Sequence, residues 1–597
     1  MEFFFSHCCL VLGLAALHFV GICHSSPVKH RDIASIKRSA DAMDESYDYI
    51  IIGGGTSGLT VANRLTEDGT KTVLVIECGV LDNDDPSIIF PPWDRHIDAQ
   101  AIFNLTSPPQ PALDGRTQNV VGGAIVGGGS AVNGMFFDRG SAEDYDNWAK
   151  LGNPGWGFED LLPYFRKATN FTSPIRDIEE GWNVTYDAEA YGNGPIQASF
   201  PPFLYPGIKY QWRSFLEMGV ETSSRPASGD AYGLIWAPSS EDPVSRERSF
   251  ARPSYYDPAK ARPNYHLLIG HKVLNISFAA DTFRAYGVSF QPVNDTGTVT
   301  SVKAEREVVL AAGALHSPQI LQRSGVGPKS LLEKAGIEVR IDLPGVGQNF
   351  QDHPYGAMPY TWPFTSLSNA AAFLPLKTVT EAWASIIDQA KAQDPSAYLP
   401  PHYTGTLLES YKAQQALIIE GYGSKKSAIM EVPINVKATA LFVLEKPLSR
   451  GSINLNPDNP YGDPIVDFQS LSNPTDVRIL TEMFRYIRKW LAMPSNQQLG
   501  AVEGNASVGV STDAEIESML RAGVTSSFAH PSCTNAMMPE SLGGVVGPDL
   551  LVHGVKGLSV VDASIMPLIP STHLSATVYA VAEKAADLIK GRALTDV

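Results

Sequence analysis

Residues 48–58 read Asp-Tyr-Ile-Ile-Ile-Gly-Gly-Gly-Thr-Ser-Gly, a run that few local structures accommodate. The apolar stretch 49–52 suits a strand buried on both faces of a parallel sheet. Gly53, Gly55 and Gly58 follow at G-x-G-x-x-G spacing. The first allows a tight turn, the second lets backbone approach a pyrophosphate, and the third lets helix pack on strand. Leu59, Ala62 and Leu65 then share one helical face, and residues 71–76 read as a second strand leading to Glu77. Glu77 stands nineteen residues past Gly58, where a carboxylate binds a ribose hydroxyl and repels a 2′-phosphate. Strand, glycines, helix and acid in that order predict a dinucleotide site at the start of a βαβ unit; the competing reading is an ordinary Gly-rich turn.

At 597 residues the chain exceeds one compact core, and two or three domains are expected. A formal charge of −17 argues against nucleic acid or anionic membrane as a partner. Residues 3–23 are apolar apart from Ser6, His7 and His18, and Ser25 and Ser26 follow, so 1–26 reads as a signal peptide. A retained anchor is the alternative, because Glu2 stands where a base is usual and the run nearly spans a bilayer. Residues 27–45 read as a polar leader arm. Six Asn-x-Ser/Thr sequons, at Asn104, Asn170, Asn183, Asn275, Asn294 and Asn505, agree with a secretory route ending outside the cell, in the cell wall, or in a vacuolar or other internal compartment. Cys8, Cys9 and Cys23 fall inside the signal, which leaves Cys78 and Cys533 and no disulfide scaffold. Neither a C-x-x-C nor a His-Glu-x-x-His cluster appears, so no metal site is expected.

A second glycine run, Gly-Gly-Ala-Ile-Val-Gly-Gly-Gly-Ser-Ala-Val-Asn, occupies 122–133. Its use is to bring backbone N–H groups to a ligand with no side chain between. Interleaved Ile125, Val126 and Val132 and the closing Asn133 argue against a flexible linker. Residues 88–111 read as irregular, and 154–257 are Pro-, Trp- and Tyr-rich with few periods. Strands are expected at 264–278 and 285–291 and from Glu307, and then a helix capped by Ser317 with Pro318 at its first position. Residues 355–431 form an aromatic-dotted insert, and 438–467 alternate like antiparallel strands. Leu480, Met483, Ile487 and Leu491 mark an amphipathic helix over 474–493, and Val578, Val581, Ala582, Ala585 and Ile589 mark another near the end.

These motifs resemble the glucose–methanol–choline (GMC) oxidoreductases, FAD-dependent alcohol oxidases and dehydrogenases, over about 48–590. Residues 123–146 match that family's first signature, including Gly127, Gly128, Asn133, Phe137 and Gly140; Ala124 departs from its usual basic or amide residue. Residues 313–327 match the second signature, and 343–353, ending Gln351-Asp352-His353, look like the segment that follows it. His530, then Val560-Val-Asp-Ala-Ser564, then His573 come in the family's order and spacing. The resemblance implies an α/β Rossmann-like FAD-binding domain and an α+β substrate-binding domain built on an antiparallel sheet with helices. The FAD-binding domain would take mainly 46–354 with excursions, the substrate domain mainly 355–525, and 526–597 would return carrying the histidines. Gly53, Gly55, Thr56, Ser57, Gly58 and Glu77 would hold the ADP half of FAD. Gly127, Gly128, Ser130, Asn133 and Gly134 would line flavin and pyrophosphate, Val273 would meet the adenine through its backbone, and Asp562 and Ala563 would close the site. No histidine lies between Thr117 and Asn147, so the FAD is expected to be non-covalent. The same fold places Cys78 and Cys533 apart, as two free thiols.

Alcohol oxidation by flavin removes a hydroxyl proton and sends hydride to the cofactor, and histidine is the usual base for the first task. The resemblance makes His530 that base, with His573, forty-three residues on, holding the substrate oxygen or sharing the proton. His316, His353 and His553 read as structural. Cys533 stands where the family more often has glycine. The expected substrate is a small primary or secondary alcohol, aromatic, allylic or polyketide-derived, in fungal secondary metabolism, with O2 or a quinone as acceptor. The aromatics Tyr355, Tyr360, Trp362, Phe364, Phe373 and Trp383 lean the same way. Two rivals stay open: a cyclase, dehydratase or lyase with structural FAD, and a non-catalytic secreted binding protein.

Overall fold

The computed structural model describes residues 36–37, 43–90, 97–295, 297–361, 369–434 and 439–592. The signal segment, most of the leader arm, Trp362 and Phe364 lie outside them. The strand Ser46–Ile52 lies between Val73–Glu77 and Thr300–Leu310, with Ile50 opposite Leu74 on one side and Val308 on the other. All three are parallel, Tyr265–Ile269 adds a fourth beyond Val73–Glu77, and Leu558–Val560 pairs with the far half of Thr300–Leu310. Ile50, Ile51, Val73, Leu74, Val308 and Val309 are wholly buried, as a sheet covered on both faces requires. Each such side chain contributes about 1.5–3 kcal/mol relative to exposure.

The helices Thr56–Leu65 and Ser575–Gly591 pack side by side on this sheet, pinned by Arg64, which ion-pairs with Glu583 and with Asp587. The antiparallel hairpin His271–Phe278 and Ala285–Pro292 joins the near half of Thr300–Leu310.

A second sheet is antiparallel throughout. Its order is Val502–Glu503, Tyr355–Thr361, Thr439–Leu444, Met430–Pro433, Ala370–Leu374, Gly233–Trp236. The amphipathic helix Pro474–Leu491 covers it, with Leu480, Met483, Ile487 and Leu491 all buried. Gly233–Trp236 comes from the stretch that showed no period in sequence, where the helices Phe158–Ala168 and Gly207–Glu217 also lie.

One helix starts earlier than its sequence predicts. It spans Gly313–Arg323, so Pro318 sits inside it and Ser317 does not cap it. Proline has no N–H to offer the carbonyl four residues back, which is that of Ala314. Thr534 Oγ1 donates to that carbonyl at 2.8 Å, filling the gap from the far end of the chain. Thr534→Val keeps the shape and orphans the carbonyl, a cost of about 1–3 kcal/mol. We expect a lower melting temperature for T534V and little change for T534S, read by thermal unfolding of the two variants side by side.

Candidate active site

The two glycine runs meet. Gly127 N donates to Gly54 O at 2.8 Å, and a Cβ on Gly128 (φ +53°) would lie 2.8 Å from Gly55 Cα. Gly53 (φ +104°) is equally committed, since a Cβ there would lie 2.4 Å from Ala311 O. The Thr56–Leu65 helix therefore begins against the second run, with no side-chain cap and no acid in its first turn. Its leading amides and positive dipole end are left for an anion. Around it, a Cβ at Gly129, Gly134 or Gly313 would meet nothing within 4 Å.

The other expected cofactor residues take these positions. Thr56 Oγ1 lies 3.5 Å from Gly127 O, Ser57 is buried, and a Cβ on Gly58 would strike Gly53 O. Glu77 is buried at the end of the second strand and accepts from Gly54 N and Gly79 N, each at 2.6 Å. Burial raises its pKa, and through these two amides it braces the glycine turn. Ser130 Oγ donates to Gly127 O at 2.6 Å, and Asn133 Oδ1 accepts from Arg248 at 2.6 Å, so both side chains hold the loop's shape. Val273 precedes a bulge in its strand. Asp562 accepts from Gly313 N and Ser317 Oγ through one oxygen and from Ser564 N through the other, while Ala563 O accepts from Cys533 N at 3.1 Å. Unshielded helix amides, glycines no Cβ can replace and an acid beside the second strand fit an ADP-bearing cofactor.

The end of the second glycine run leads directly to the histidines. Phe136 packs on His573 with ring centroids 4.7 Å apart, and Asp138 Oδ1 lies 3.2 Å from His573 Nδ1. His530 faces His573 nearly edge-on, centroids 5.1 Å apart at 81°. Phe528 touches both imidazoles, and Tyr355 packs on Phe528. Phe136, Tyr355 and Phe528 are each half-buried, so the three rings flank the imidazoles without sealing them from solvent. Of the other aromatics of the insert, Tyr360 and Phe373 are buried core and Trp383 carries Lys377 over its ring, so Tyr355 alone of the described ones reaches this wall.

The two imidazoles differ in charge. Burial, with His353 and His573 adding to it, holds His530 well below the ordinary histidine range and therefore neutral. Burial also pulls His573 down, but Glu431 and Asp138 outweigh it and push its pKa up to about 9. The pair is thus a base beside a cation.

His353 is not the bystander its sequence context suggests. Its Nδ1 lies 2.9 Å from His530 Nδ1, and its Nε2 lies 3.4 Å from Glu445 Oε2. Glu431 Oε1 lies 3.9 Å from His573 Nε2. Both glutamates are buried, Glu431 inside the apolar strand Met430–Pro433 and Glu445 directly after Thr439–Leu444. An acid inside an apolar strand run is the signal that marks them in sequence. Asp352 fixes the His530 loop, accepting from His353 N, Phe528 N and His530 N through Oδ1 and from Ser527 Oγ through Oδ2; burial raises its pKa to about 7. Cys533 has φ +75°, which explains why glycine suits that position. Its thiol and that of Cys78 are both free. His316 packs on Phe103 and His553 Nε2 pairs with Met538 O, in keeping with a structural part for both. Among the described residues no cluster of His, Cys, Asp or Glu could hold a metal, and no helix is long and apolar enough to cross a membrane.

Two interlocked glycine turns at an uncapped helix start, joined by one short segment to a neutral and a charged imidazole, fit a nucleotide-dependent oxidoreductase. Residues 47–355 match the amino-terminal GMC oxidoreductase family model and residues 447–582 the carboxy-terminal one, and the chain belongs to that family. It is 36% identical to the dehydrogenase xptC of Emericella nidulans over 95% of both chains. It is 33% identical to an oxygen-dependent choline dehydrogenase of Pseudomonas putida over 92% of this chain and 95% of that one. Among solved structures it resembles an FAD-dependent oxidoreductase from Chaetomium thermophilum (TM-score 0.87, 38% identity, 91% of this chain and 99% of that one). It also resembles a fungal aryl-alcohol oxidase (TM-score 0.86, 37% identity, 92% and 99%). The cofactor is FAD, and the chain is an FAD-dependent oxidoreductase acting on CH–OH donors. Gly128→Ala forces a Cβ into the contact between the two glycine turns. We expect that variant to purify with little flavin, measured as the ratio of flavin to protein absorbance against wild type.

Proposed function

We propose that this chain oxidises a primary or secondary alcohol carrying an aromatic or extended apolar group, with His530 as the base. The carrying observation is the imidazole pair: one ring held neutral, the other held charged, 5.1 Å apart and walled by Phe136, Tyr355 and Phe528. FAD, when bound, supplies the hydride acceptor. His530 Nδ1 is engaged by His353, which leaves Nε2 to take the hydroxyl proton. His573, paired with Asp138 and cationic at neutral pH, stabilises the negative charge that develops on the substrate oxygen. The half-buried rings offer edge and face contacts to an aryl group while excluding water from the reacting atoms. The aryl-alcohol oxidase among the structural relatives supports the same substrate class.

We further propose that the chain follows the secretory route and serves secondary metabolism, with O2 or a quinone as acceptor. The apolar leader supports the route, as do sequons at the exposed residues Asn104, Asn183, Asn294 and Asn505. Asn170 and Asn275 are half-buried, and their side chains pair with Gln197 and Ser289.

The test is anaerobic mixing with aryl, allylic and sugar alcohols while following flavin absorbance. Aryl alcohols are expected to bleach the wild-type flavin fastest. His530→Ala should slow bleaching by about 10²–10⁴-fold, the span of general-base catalysis. Bleaching of H530A at the wild-type rate removes the base assignment, and a flavin that stays yellow while substrate is consumed removes the redox reading.

A further inference from the structure

Two acids share one face of the antiparallel sheet. Glu431 lies on the inner strand Met430–Pro433, between Phe373 on one neighbouring strand and Val443 on the other. Glu445 follows two residues after Val443, and its amide continues the ladder by donating to Ile429 O at 2.9 Å. Side chains two residues apart leave a strand on the same face, so Glu445 is a diagonal neighbour of Glu431 across one strand pair. The two carboxyls lie within hydrogen-bonding reach of each other. Both residues are buried, and none of the four carboxyl oxygens accepts from an N–H or O–H of the described residues. In a dry site, facing carboxyls do not both ionise, and one proton stays between them.

The surrounding groups decide where that proton rests. Glu431 has a cation beside it: His573 Nε2 lies 3.9 Å from Glu431 Oε1, and its charge favours a carboxylate there. Glu445 has no such partner. His353 Nε2 lies 3.4 Å from Glu445 Oε2 but makes no hydrogen bond to it. Burial, with His573 and Lys446 adding to it, holds the His353 ring neutral. The ammonium of Lys446 is paired with Asp144, and Asp138 and Asp144 both face Glu445 as further negative groups. Burial raises both acids: Glu431 to about 7, with the cationic His573 opposing the rise, and Glu445 well above the ordinary carboxylate range, with Glu431 adding to it. The proton therefore sits on Glu445.

We propose that Glu445 is a buried carboxylic acid whose proton is donated to Glu431, and that this bond keeps Glu431 ionised as the carboxylate that holds His573 cationic. Glu445 is thus a positioning residue acting through Glu431. The inference rests on the reading of His573 as the cation that stabilises the substrate oxygen, and it names what maintains that cation. Asp138 stands at the Nδ1 end of the ring and Glu431 at the Nε2 end. At 3.9 Å Glu431 acts through its charge, so the Nε2 proton stays available to the substrate oxygen. Without the Glu445 donor, Glu431 is a carboxylate on an apolar strand with no hydrogen bond, which burial penalises strongly. The favoured state then has the proton moved: the N–H bond at His573 Nε2 breaks, an O–H bond forms on Glu431, and both groups end neutral. The substrate oxygen would face an uncharged ring. What Glu445 supplies is a donor and no charge, so an amide can stand in for it; Glu431 supplies charge, which its amide cannot.

The proton can be located on the FAD-loaded protein before any substrate is added, at pH 8, which lies above Glu431 and below His573. By infrared difference spectroscopy, wild type should show a carboxylic-acid C=O band that persists in E431Q and is missing in E445Q. A band that E431Q abolishes, or identical spectra for wild type and E445Q, overturns the proposal. In protein labelled with ¹⁵N-histidine, with His573 assigned by its absence in H573A, the wild-type ring should carry two protons. Glu445→Met, which keeps the bulk and removes the donor, should leave it with one, and E445Q should restore the second. A doubly protonated His573 in E445M overturns the proposal. Anaerobic flavin reduction by an aryl alcohol should be about 10- to 10²-fold slower in E445M, the scale of one hydrogen bond to a charged group, with E445Q recovering most of the loss. A wild-type rate beside a neutral His573 leaves the carboxyl pair as proposed and removes the part given to His573 in the reaction. Should E445M fail to fold, the infrared comparison of wild type, E431Q and E445Q decides alone.

Discussion

Gly127 donates its amide to the Gly54 carbonyl at 2.8 Å, and through this contact two distant glycine runs become one cradle. The first supplies a helix end with uncapped amides, and the second lies across it at a distance that tolerates no Cβ at Gly128. Leaving the second run, the chain passes through Met135 in the left-handed region and arrives at Phe136 and Asp138, which pack on and pair with His573. One short segment thus joins the glycine turns to the groups that hold His573, so their separation is set by backbone rather than by flexible side chains.

Holding the imidazoles in place draws on the rest of the molecule. Asp352 collects three backbone amides from His353, Phe528 and His530, and the left-handed residues Ala529 and Cys533 bracket the same loop. Strained backbone of this sort costs about 1–3 kcal/mol per residue and persists where the surroundings over-determine it. The charge arrangement obeys the same logic. An isolated cation at His573 would not survive burial; Asp138 and Glu431 make it the stable form. His530 has no carboxylate of its own, and burial beside His353 and His573 keeps it neutral.

Much of the cradle was legible in the chain. Strand, glycines, helix and acid follow one another within thirty residues, and each has a local reason to be there. The helices with apolar faces at 474–493 and near the end were equally plain, because a 3.6-residue period survives whatever tertiary structure surrounds it. Less visible were the segments whose order depends on remote partners. The helix Gly313–Arg323 tolerates Pro318 because Thr534 satisfies Ala314 O, a partner 220 residues away that no local pattern announces. The strand Gly233–Trp236 shows no alternation because it is buried on both faces of its sheet.

The amino-acid sequence by itself determined the βαβ start, the two glycine runs and the candidacy of His530 and His573, since these depend on local turn sterics and on motif spacing. Only the tertiary structure decided that His353 backs His530, that Glu445 backs His353, and that Glu431 and Asp138 flank His573. Those contacts join an antiparallel sheet, a glycine loop and the final segment, elements far apart along the chain. The physical reason is that a titratable group's role comes from its burial and its neighbours' charges, and both are properties of the packed interior alone.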